Sequence, residues 1–164
     1  MKITTDRLDI IALTPEQLTL WTKDIAALEK ELGCSYRAEP VEGIFRGIVC
    51  GQALRAQKQP ECYQWHTFWF IIRRSDGVVV GSVDFKDVPD ENGEVEIGYG
   101  LGREFEHSGY MTETVGAFCE WGLAQPGVRH IIAETETDNF ASQRVLTRCG
   151  FAEYARDKTV WWRL

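Results

Sequence analysis

The stretch Glu94-Val95-Glu96-Ile97-Gly98-Tyr99-Gly100-Leu101-Gly102 (residues 94–102) decides the fold. It begins with alternating acidic and apolar residues, so in a strand the carboxylates share one face and the apolar side chains the other. It ends with glycine at every second position. Glycines at a strand end are often simple turn residues, but they also let the chain bulge or let another molecule approach the backbone closely. The segment therefore predicts a sheet strand whose end is a candidate binding site.

The turn that follows this strand is the second informative segment. Ser108-Gly109-Tyr110 lies immediately before a predicted helix that runs from about Thr112 to Ala124. A glycine-containing turn into a helix N-terminus offers unpaired N–H groups and the positive end of the helix dipole, which together favour an anion. Neither a Walker motif nor a complete G-x-G-x-x-G is present, so the turn alone does not say which anion.

Length and charge limit the classes of protein that remain. The chain has 164 residues, of which 44% are hydrophobic and 26% charged, and its net charge is −7. This is the composition of one globular domain, because two full domains need more chain and disordered chains are less apolar. The acidic balance argues against nucleic acid as a partner, since phosphate backbones require concentrated positive charge. It suits a cationic partner such as an amine.

Cysteine, histidine and apolar patterning bear on redox state, metals and membranes. The five cysteines are odd in number and form no C-x-x-C pair, which predicts reduced thiols rather than disulfides or a zinc site. The three histidines show no metal-ligand spacing, so no metal is expected. No apolar run approaches the roughly 20 residues of a membrane span, and the N-terminus has no apolar core of a signal peptide. We expect a cytoplasmic protein without a membrane segment.

Strands and helices can be assigned around the central strand. Thr14, Pro15 and Gln17 form a capping box that starts a helix, and Gly33 ends it. A hairpin turn is predicted at Asp76-Gly77. The pattern is mixed α/β with a largely antiparallel sheet. The remaining predicted elements are strands at 8–13, 65–72, 78–85, 130–135, 151–154 and 159–164, and helices at 41–58 and 138–150.

Several segments, taken in order, carry a family resemblance. They are Arg7-Leu8, Val80-Gly81-Ser82-Val83, Glu96-Ile97-Gly98-Tyr99, Gly109-Tyr110-Met111-Thr112-Glu113, Asn139-Phe140-Ala141-Ser142-Gln143-Arg144-Val145-Leu146 and Cys149-Gly150-Phe151. With this spacing the chain resembles the Gcn5-related N-acetyltransferase (GNAT) superfamily, most closely the branch of ribosomal-protein N-terminal acetyltransferases. The resemblance implies one domain over residues 1–164, with about six or seven strands, about four helices and a bulged, splayed fourth strand.

The resemblance also implies a cofactor and its binding residues. Acetyl-CoA is the expected acetyl donor, with its pantetheine arm on residues 97–103 and its pyrophosphate on the loop 106–111. Two residues depart from the family pattern: Glu106 replaces a Gln or Arg, and Met111 replaces a small residue. A carboxylate near a pyrophosphate is repulsive unless it points away. The expected cofactor residues are Tyr99, Leu101, Arg103, His107, Ser108, Gly109, Tyr110, Met111, Thr112, Asn139 and Arg144.

Catalytic residues follow from the same resemblance. Many members carry a Tyr seven residues after the Asn of the last helix, where this chain has Leu146, whereas the resembling branch carries a Ser three residues after it, here Ser142. Ser142 is therefore the expected proton donor to the CoA thiolate, and backbone N–H groups near Tyr99 the expected oxyanion site. Glu96, and then Glu94, is the expected general base, unless both only line a solvated strand face. The expected acceptor-site residues are Glu94, Glu134, Glu136, Trp21 and Tyr36.

The expected reaction is direct transfer of acetyl to a primary amine in a ternary complex. The sequence leaves open whether the acceptor is a protein N-terminus or a small amine, and whether the protein is a monomer or a homodimer. A different class also remains open, a non-catalytic CoA-binding or regulatory domain, because Glu106 and Met111 weaken the case for tight cofactor binding.

Overall fold

One mixed sheet forms the centre of the protein. The computed structural model describes all 164 residues. The nine-stranded sheet has the order β1-β2-β4-β5-β6-β7-β9-β8, with β3 paired to β5. The strands are β1 Lys2–Thr4, β2 Leu8–Ala12, β3 Ser35–Tyr36, β4 Phe68–Arg73, β5 Val78–Phe85, β6 Glu94–Leu101, β7 His130–Glu136, β8 Ala152–Arg156 and β9 Thr159–Arg163. Pairing is antiparallel except between β6 and β7 and between β3 and β5. This confirms the predicted mixed, largely antiparallel fold, and the short strands β1 and β3 raise the strand count above expectation.

The helices number five because one predicted helix is divided. They are α1 Pro15–Lys23, α2 Ile25–Leu32, α3 Gly43–Lys58, α4 Tyr110–Leu123 and α5 Phe140–Arg148, with 3-10 turns at Pro60–Trp65 and Arg103–Phe105. The expected helix over 14–33 stops at Asp24, whose φ is −151° and whose carboxylate accepts a 3.0 Å hydrogen bond from the Ala27 N–H. A short polar side chain that bonds nearby backbone competes with helix continuation and caps a new helix instead. No helix is both long enough and apolar enough to cross a membrane.

The helices cover the two faces of the sheet with two separate cores. A cluster of 23 buried residues lies between the sheet and α4 and α5, with Phe118 and Leu146 among its members. A cluster of 11 lies between α1, α2 and α3 and the other face of β4 and β5, and it includes Trp21 and Val49. On β6 the predicted alternation is confirmed, because Val95 and Ile97 are buried while the flanking glutamates are only half-buried.

The feature that positions the site is the divergence of β6 from β7. These strands pair only where Glu94–Glu96 meets His130–Ile132. Farther along, β6 pairs with β5 alone, through Ile97–Leu101. The Glu96 carbonyl accepts a hydrogen bond from the Lys86 N–H on the β5 side, so by alternation the backbone groups of odd-numbered residues face the gap. The N–H groups of Tyr99 and Leu101 therefore lie outside any ladder with β7.

The expected bulge in β6 is absent from its pairing, and this corrects the sequence prediction. The register of β6 with β5 runs without a shift from Ile97 to Leu101. The irregularity lies one strand away, between Ile71 and Ile72 of β4, opposite β5. The gap therefore begins where the pairing of β6 with β7 ends, after Glu96.

Candidate active site

A cavity of about 470 Å³ lies beside the end of β6 that has no pairing with β7. Its walls come from the end of β6, the loop before α4, the first turns of α5, and one residue of the segment between β3 and α3. A volume of this size is typical of small-molecule sites. The lining residues are Tyr99, Gly100, Leu101, Glu106, His107, Gly109, Met111, Thr112, Asn139, Ala141, Ser142, Arg144, Val145, Arg148 and Glu39.

The loop before α4 forms an anion site on one wall of this cavity. Gly109 is the N-cap residue, with φ 78° and no side-chain capping hydrogen bond, and His107 also has a positive φ of 61°. The first intrahelical bond runs from the Glu113 N–H to the Gly109 carbonyl at 3.1 Å. The N–H groups of residues 110–112 therefore have no partner within the helix, and the helix dipole adds positive potential there. These free N–H groups lie where the sequence predicts an anion site.

Arg7 stabilises this conformation of the loop before α4. Its Nη1 donates to the Ser108 carbonyl at 2.9 Å, and its Nε donates to Glu113 Oε2 at 2.7 Å. The guanidinium also lies 4.6 Å from the centre of the Tyr110 ring. Burial raises the pKa of the Glu113 carboxyl, but hydrogen bonds from Thr5 and Arg7 outweigh it, so the pKa lies below its usual value. Arg7 and Glu113 thus form a fixed brace between the chain start and the first turn of α4.

Ser142 and Tyr99 form a hydroxyl pair on the opposite wall. Asn139 caps α5 by accepting a hydrogen bond from the Ser142 N–H at Oδ1, 3.1 Å away, which fixes Ser142 in the first turn. The Ser142 Oγ lies 2.8 Å from the Tyr99 hydroxyl. Burial raises the pKa of Tyr99 to about 12, with the Ser142 hydrogen bond acting the other way. The phenol therefore stays protonated near neutral pH and can pass a proton to Ser142.

The combination of a splayed strand gap, a helix N-terminal anion site and a serine in the facing wall agrees with the comparison with known proteins. Residues 11–152 match the family described as the acetyltransferase (GNAT) domain. The chain belongs to the GNAT acetyltransferase family. The enzyme class predicted from the sequence, an acetyl-CoA-dependent N-acetyltransferase, is thereby confirmed.

Relatives of this GNAT protein agree in sequence and in fold. The uncharacterized N-acetyltransferase YjdG of Bacillus subtilis (strain 168) is 29% identical over 153 residues, which cover 87% of this chain and 90% of YjdG. The crystal structure of a ribosomal-protein-S5-alanine acetyltransferase from Vibrio fischeri has a TM-score of 0.72 at 14% identity, covering 100% of this chain and 96% of that one. RimL, a ribosomal L7/L12 alpha-N-protein acetyltransferase in complex with coenzyme A, has a TM-score of 0.71 at 16% identity, covering 100% and 97%.

The structure separates the expected cofactor residues of this GNAT protein into two groups. Ser108 and Tyr110 face the Arg7 brace rather than the cavity, so they act on loop shape. Arg103 lines a neighbouring cavity of about 570 Å³ together with Arg37 and Glu104. Lining residues that the sequence reasoning missed are Glu39, Ala141 and Val145. The expected residues that do line the cavity are Tyr99, Leu101, His107, Gly109, Met111, Thr112, Asn139 and Arg144.

The two departures from the GNAT loop pattern have different outcomes. Met111 is only 6% exposed and packs into the larger core, so its long side chain finds room beneath the loop. Glu106 is exposed, lines the cavity and forms no salt bridge. Arg144 and Arg148 line the facing wall. The predicted electrostatic conflict therefore rests on Glu106 alone.

The four glutamates expected near the acceptor share one face of β6 and β7, but they are not a free acidic cluster. Glu96 forms an ion pair with Lys86, and Glu94 forms one with Arg163 at 2.7 Å. Glu134 Oε1 accepts a 2.6 Å hydrogen bond from the Thr159 hydroxyl. Glu136 is exposed. The ion pairs neutralise much of the attraction that the sequence predicted for a cationic acceptor.

The two aromatic residues expected at the acceptor site lie in and beside the smaller core. Trp21 is 3% exposed and makes edge contacts with Phe68 and Phe70, so its side chain is part of the smaller core. Tyr36 is half-buried against Trp21, and its hydroxyl donates to the Glu39 carbonyl. Burial raises the pKa of Tyr36 well above its usual value. Of the two, only Tyr36 contacts the segment that reaches the cavity. No cluster of three or more His, Cys, Asp or Glu side chains is arranged to hold a metal ion.

Proposed function

We propose that this protein transfers the acetyl group of acetyl-CoA directly to a primary amine, either a protein N-terminus or a small amine, in a ternary complex. The observation that carries the proposal is the Tyr99–Ser142 hydroxyl pair in the wall of the cavity, 2.8 Å apart. A domain that only bound CoA would not need a protonated phenol behind a serine at this position.

The residues of the cavity fit a long, anionic co-substrate. The free N–H groups of residues 110–112 and the helix dipole suit a pyrophosphate, and Arg144 and Arg148 add positive charge from α5. The unpaired backbone groups of Tyr99 and Leu101 suit the amides of a pantetheine arm. RimL, which shares this fold, was solved in complex with coenzyme A. Asn139 retains its side-chain NH₂ for a ligand, because its cap uses Oδ1.

Each chemical demand of acetyl transfer has a candidate group in the chain. The Tyr99 N–H, which faces the gap, is the candidate donor to the carbonyl oxygen as it gains negative charge. Ser142 gives a proton to the departing thiolate, and Tyr99 replaces it through their hydrogen bond. Tyr99 then recovers a proton from water.

Cofactor binding and transfer can be tested in two steps. Acetyl-CoA at about 100 times its Kd should stabilise the protein by about 2.7 kcal/mol, an increase in Tm of about 5–10 °C. A thiol-release assay over N-terminal peptides and small amines then measures transfer. No thermal shift at millimolar acetyl-CoA would refute the proposed mechanism. A shift without thiol release from any acceptor would favour the alternative, a non-catalytic CoA-binding domain, which the position of Glu106 keeps open.

Glu106→Gln is expected to lower the Kd for acetyl-CoA about two- to fivefold, because it removes a carboxylate from the wall that receives the pyrophosphate. The measurement is isothermal titration calorimetry at low and high salt, and the gain should shrink at high salt. Glu104→Gln is the matched control, since Glu104 lies outside this cavity and pairs with Arg37. Equal gains in both variants would assign the effect to net charge rather than to Glu106.

A further inference from the structure

Asp84 is a buried carboxylate on β5, the strand next to β6. It is the only acidic residue among the seven buried polar or charged residues, with 6% exposure. It lies on β5 directly opposite Gly98 of β6. A Cβ atom built on Gly98 would lie 2.8 Å from Asp84 Oδ1. The carboxylate thus lies against β6, in the space that is open because Gly98 has no side chain.

No salt bridge or backbone hydrogen bond accounts for the burial of this carboxylate. It forms no salt bridge and accepts no backbone hydrogen bond, and its charged neighbours are Lys86 on its own strand, Glu96 on β6 and Arg55 on α3. Lys86 is already bonded to Glu96, and Arg55 to Asp87. A buried carboxylate without such partners costs stability, so a purely structural role is a poor explanation for it.

The remaining contact is with Gln52 of α3, which is buried beside Asp84 and hydrogen-bonds its ionised carboxylate. Burial raises the pKa of Asp84 to about 7; Glu96 raises it further, whereas Lys86, Gln52 and Arg55 lower it. Both protonation states are therefore accessible near neutral pH.

A second carboxylate flanks the same part of β6. Glu39 Oε2 lies 3.3 Å from the position of a Cβ on Gly100, the next glycine on the face that Gly98 shares. Asp84 and Glu39 come from different elements and lie on either side of Tyr99, whose N–H faces the gap. Gly98 and Gly100 lie on the face of β6 opposite the buried side chains of Val95 and Ile97, and Glu39 also lines the cavity that holds Ser142. Because Gly98 and Gly100 have no side chains, the carboxylates of Asp84 and Glu39 can lie close to β6 on either side of Tyr99.

We propose that Asp84 accepts the proton of the acceptor amine, and that Glu39 binds the same group as an ammonium ion when it enters. The inference rests on the proposed function. The ammonium ion gives one proton to Asp84, which frees the nitrogen lone pair to form the C–N bond to the acetyl carbon, and a second N–H proton leaves to water as the amide forms. The C–S bond breaks, and the thiolate takes its proton from Ser142. Protonated Asp84 then releases a proton to water, and the Tyr99–Ser142 pair regains one. Glu96, bonded to Lys86, is left out of the transfer.

The test compares Asp84→Asn with Glu96→Gln, a matched neutralisation on the adjacent strand. Asp84→Asn is expected to lower kcat about 100-fold or more and leave the Kd for acetyl-CoA unchanged. Wild-type kcat should fall below about pH 7, matching the pKa of Asp84, and the variant should lose that step. Glu96→Gln should retain the rate at high pH but move the ionisation in kcat to lower pH, because Glu96 raises the pKa of Asp84 and its loss frees Lys86 to lower that pKa further. Glu39→Gln, at an exposed position, should raise KM for the amine, and because Glu39 also lines the cavity proposed for acetyl-CoA, the acetyl-CoA Kd is measured beside it.

Stability gives a readout that is independent of activity. The folded-state pKa of Asp84 lies above its unfolded value, so the wild type loses stability as pH rises from about 4 to about 7. Asp84→Asn should therefore have a higher Tm than wild type at pH 8, with the difference vanishing near pH 4.

The outcomes separate the two proposals. An active wild type without an ionisation near pH 7 in kcat, or an active Asp84→Asn with the wild-type profile, overturns the role of Asp84 alone. A wild type that binds acetyl-CoA but acetylates no amine overturns the proposed function and this inference together. An unchanged KM in Glu39→Gln overturns the ammonium site.

Discussion

Ser142→Ala is expected to lower kcat about 100-fold while leaving the Kd for acetyl-CoA within about twofold of wild type. Both residues of the pair line the cavity, and the Tyr99 hydroxyl lies 2.8 Å from the Ser142 Oγ. Removing the Ser142 hydroxyl leaves the CoA thiolate without a proton donor, whereas the anion site at α4 is untouched. Steady-state thiol release gives kcat, and calorimetry gives Kd.

Tyr99→Phe provides the internal comparison, because it keeps the ring packing and removes only the hydroxyl. Its loss is expected to be about 10-fold and not additive with Ser142→Ala, since the two hydroxyls act through one hydrogen bond. Thr147→Ala is the matched control on α5, where the exposed Thr147 hydroxyl bonds only its own helix. Additive losses in the double variant would mean that Tyr99 acts independently of Ser142.

Arg7→Lys is expected to raise the Kd for acetyl-CoA about 10- to 30-fold with a smaller change in kcat. Lysine keeps the positive charge but cannot bond the Ser108 carbonyl and the Glu113 carboxylate together, as the guanidinium does. The loop then loses the restraint that aims its free N–H groups at the cavity. Titration calorimetry gives Kd, and Arg74→Lys is the control for a general loss at the N-terminal segment.

Glu113→Gln distinguishes bracing from simple charge. It removes a negative charge near the predicted pyrophosphate site, so electrostatics alone would tighten acetyl-CoA binding. Bracing requires the opposite result, weaker binding, because Gln cannot accept hydrogen bonds from the Arg7 Nε, the Thr5 hydroxyl and the Arg7 backbone N–H all at once. Tighter binding in this variant would show that Arg7 acts on the phosphate directly.

The sequence predicted features that depend on local periodicity. Alternation placed Val95 and Ile97 on the buried face of β6 and the glutamates on the other, and the structure agrees. The glycine turn predicted the free N-terminus of α4, because φ above zero at Gly109 is a property of one residue and its neighbours. The resemblance supplied Ser142 in the same way, by spacing along one helix.

The features that the sequence did not predict depend on distant pairings. Arg7 and Glu113 are 106 residues apart, and no periodicity signals that they meet. In the sequence, nothing distinguishes Asp84 from the other residues of its apolar strand. Its position opposite Gly98 follows only from the strand register. Alternation predicted the face that carries Glu94 and Glu96 but not Lys86 and Arg163, which neutralise them, because side-chain partners across strands depend on register and strand order.

The end of the β6–β7 ladder at Glu96 has a consequence for selectivity. Beyond it, the backbone of β6 is a free strand edge, but one enclosed within the fold instead of lying at its perimeter. Open edges invite any extended chain to pair with them. This edge is lined by α5 and the loop before α4, so it is not open to any extended chain in the way an outer edge is. If acetyl-CoA binds as proposed, the amides of its pantetheine arm would pair with this edge as an additional strand.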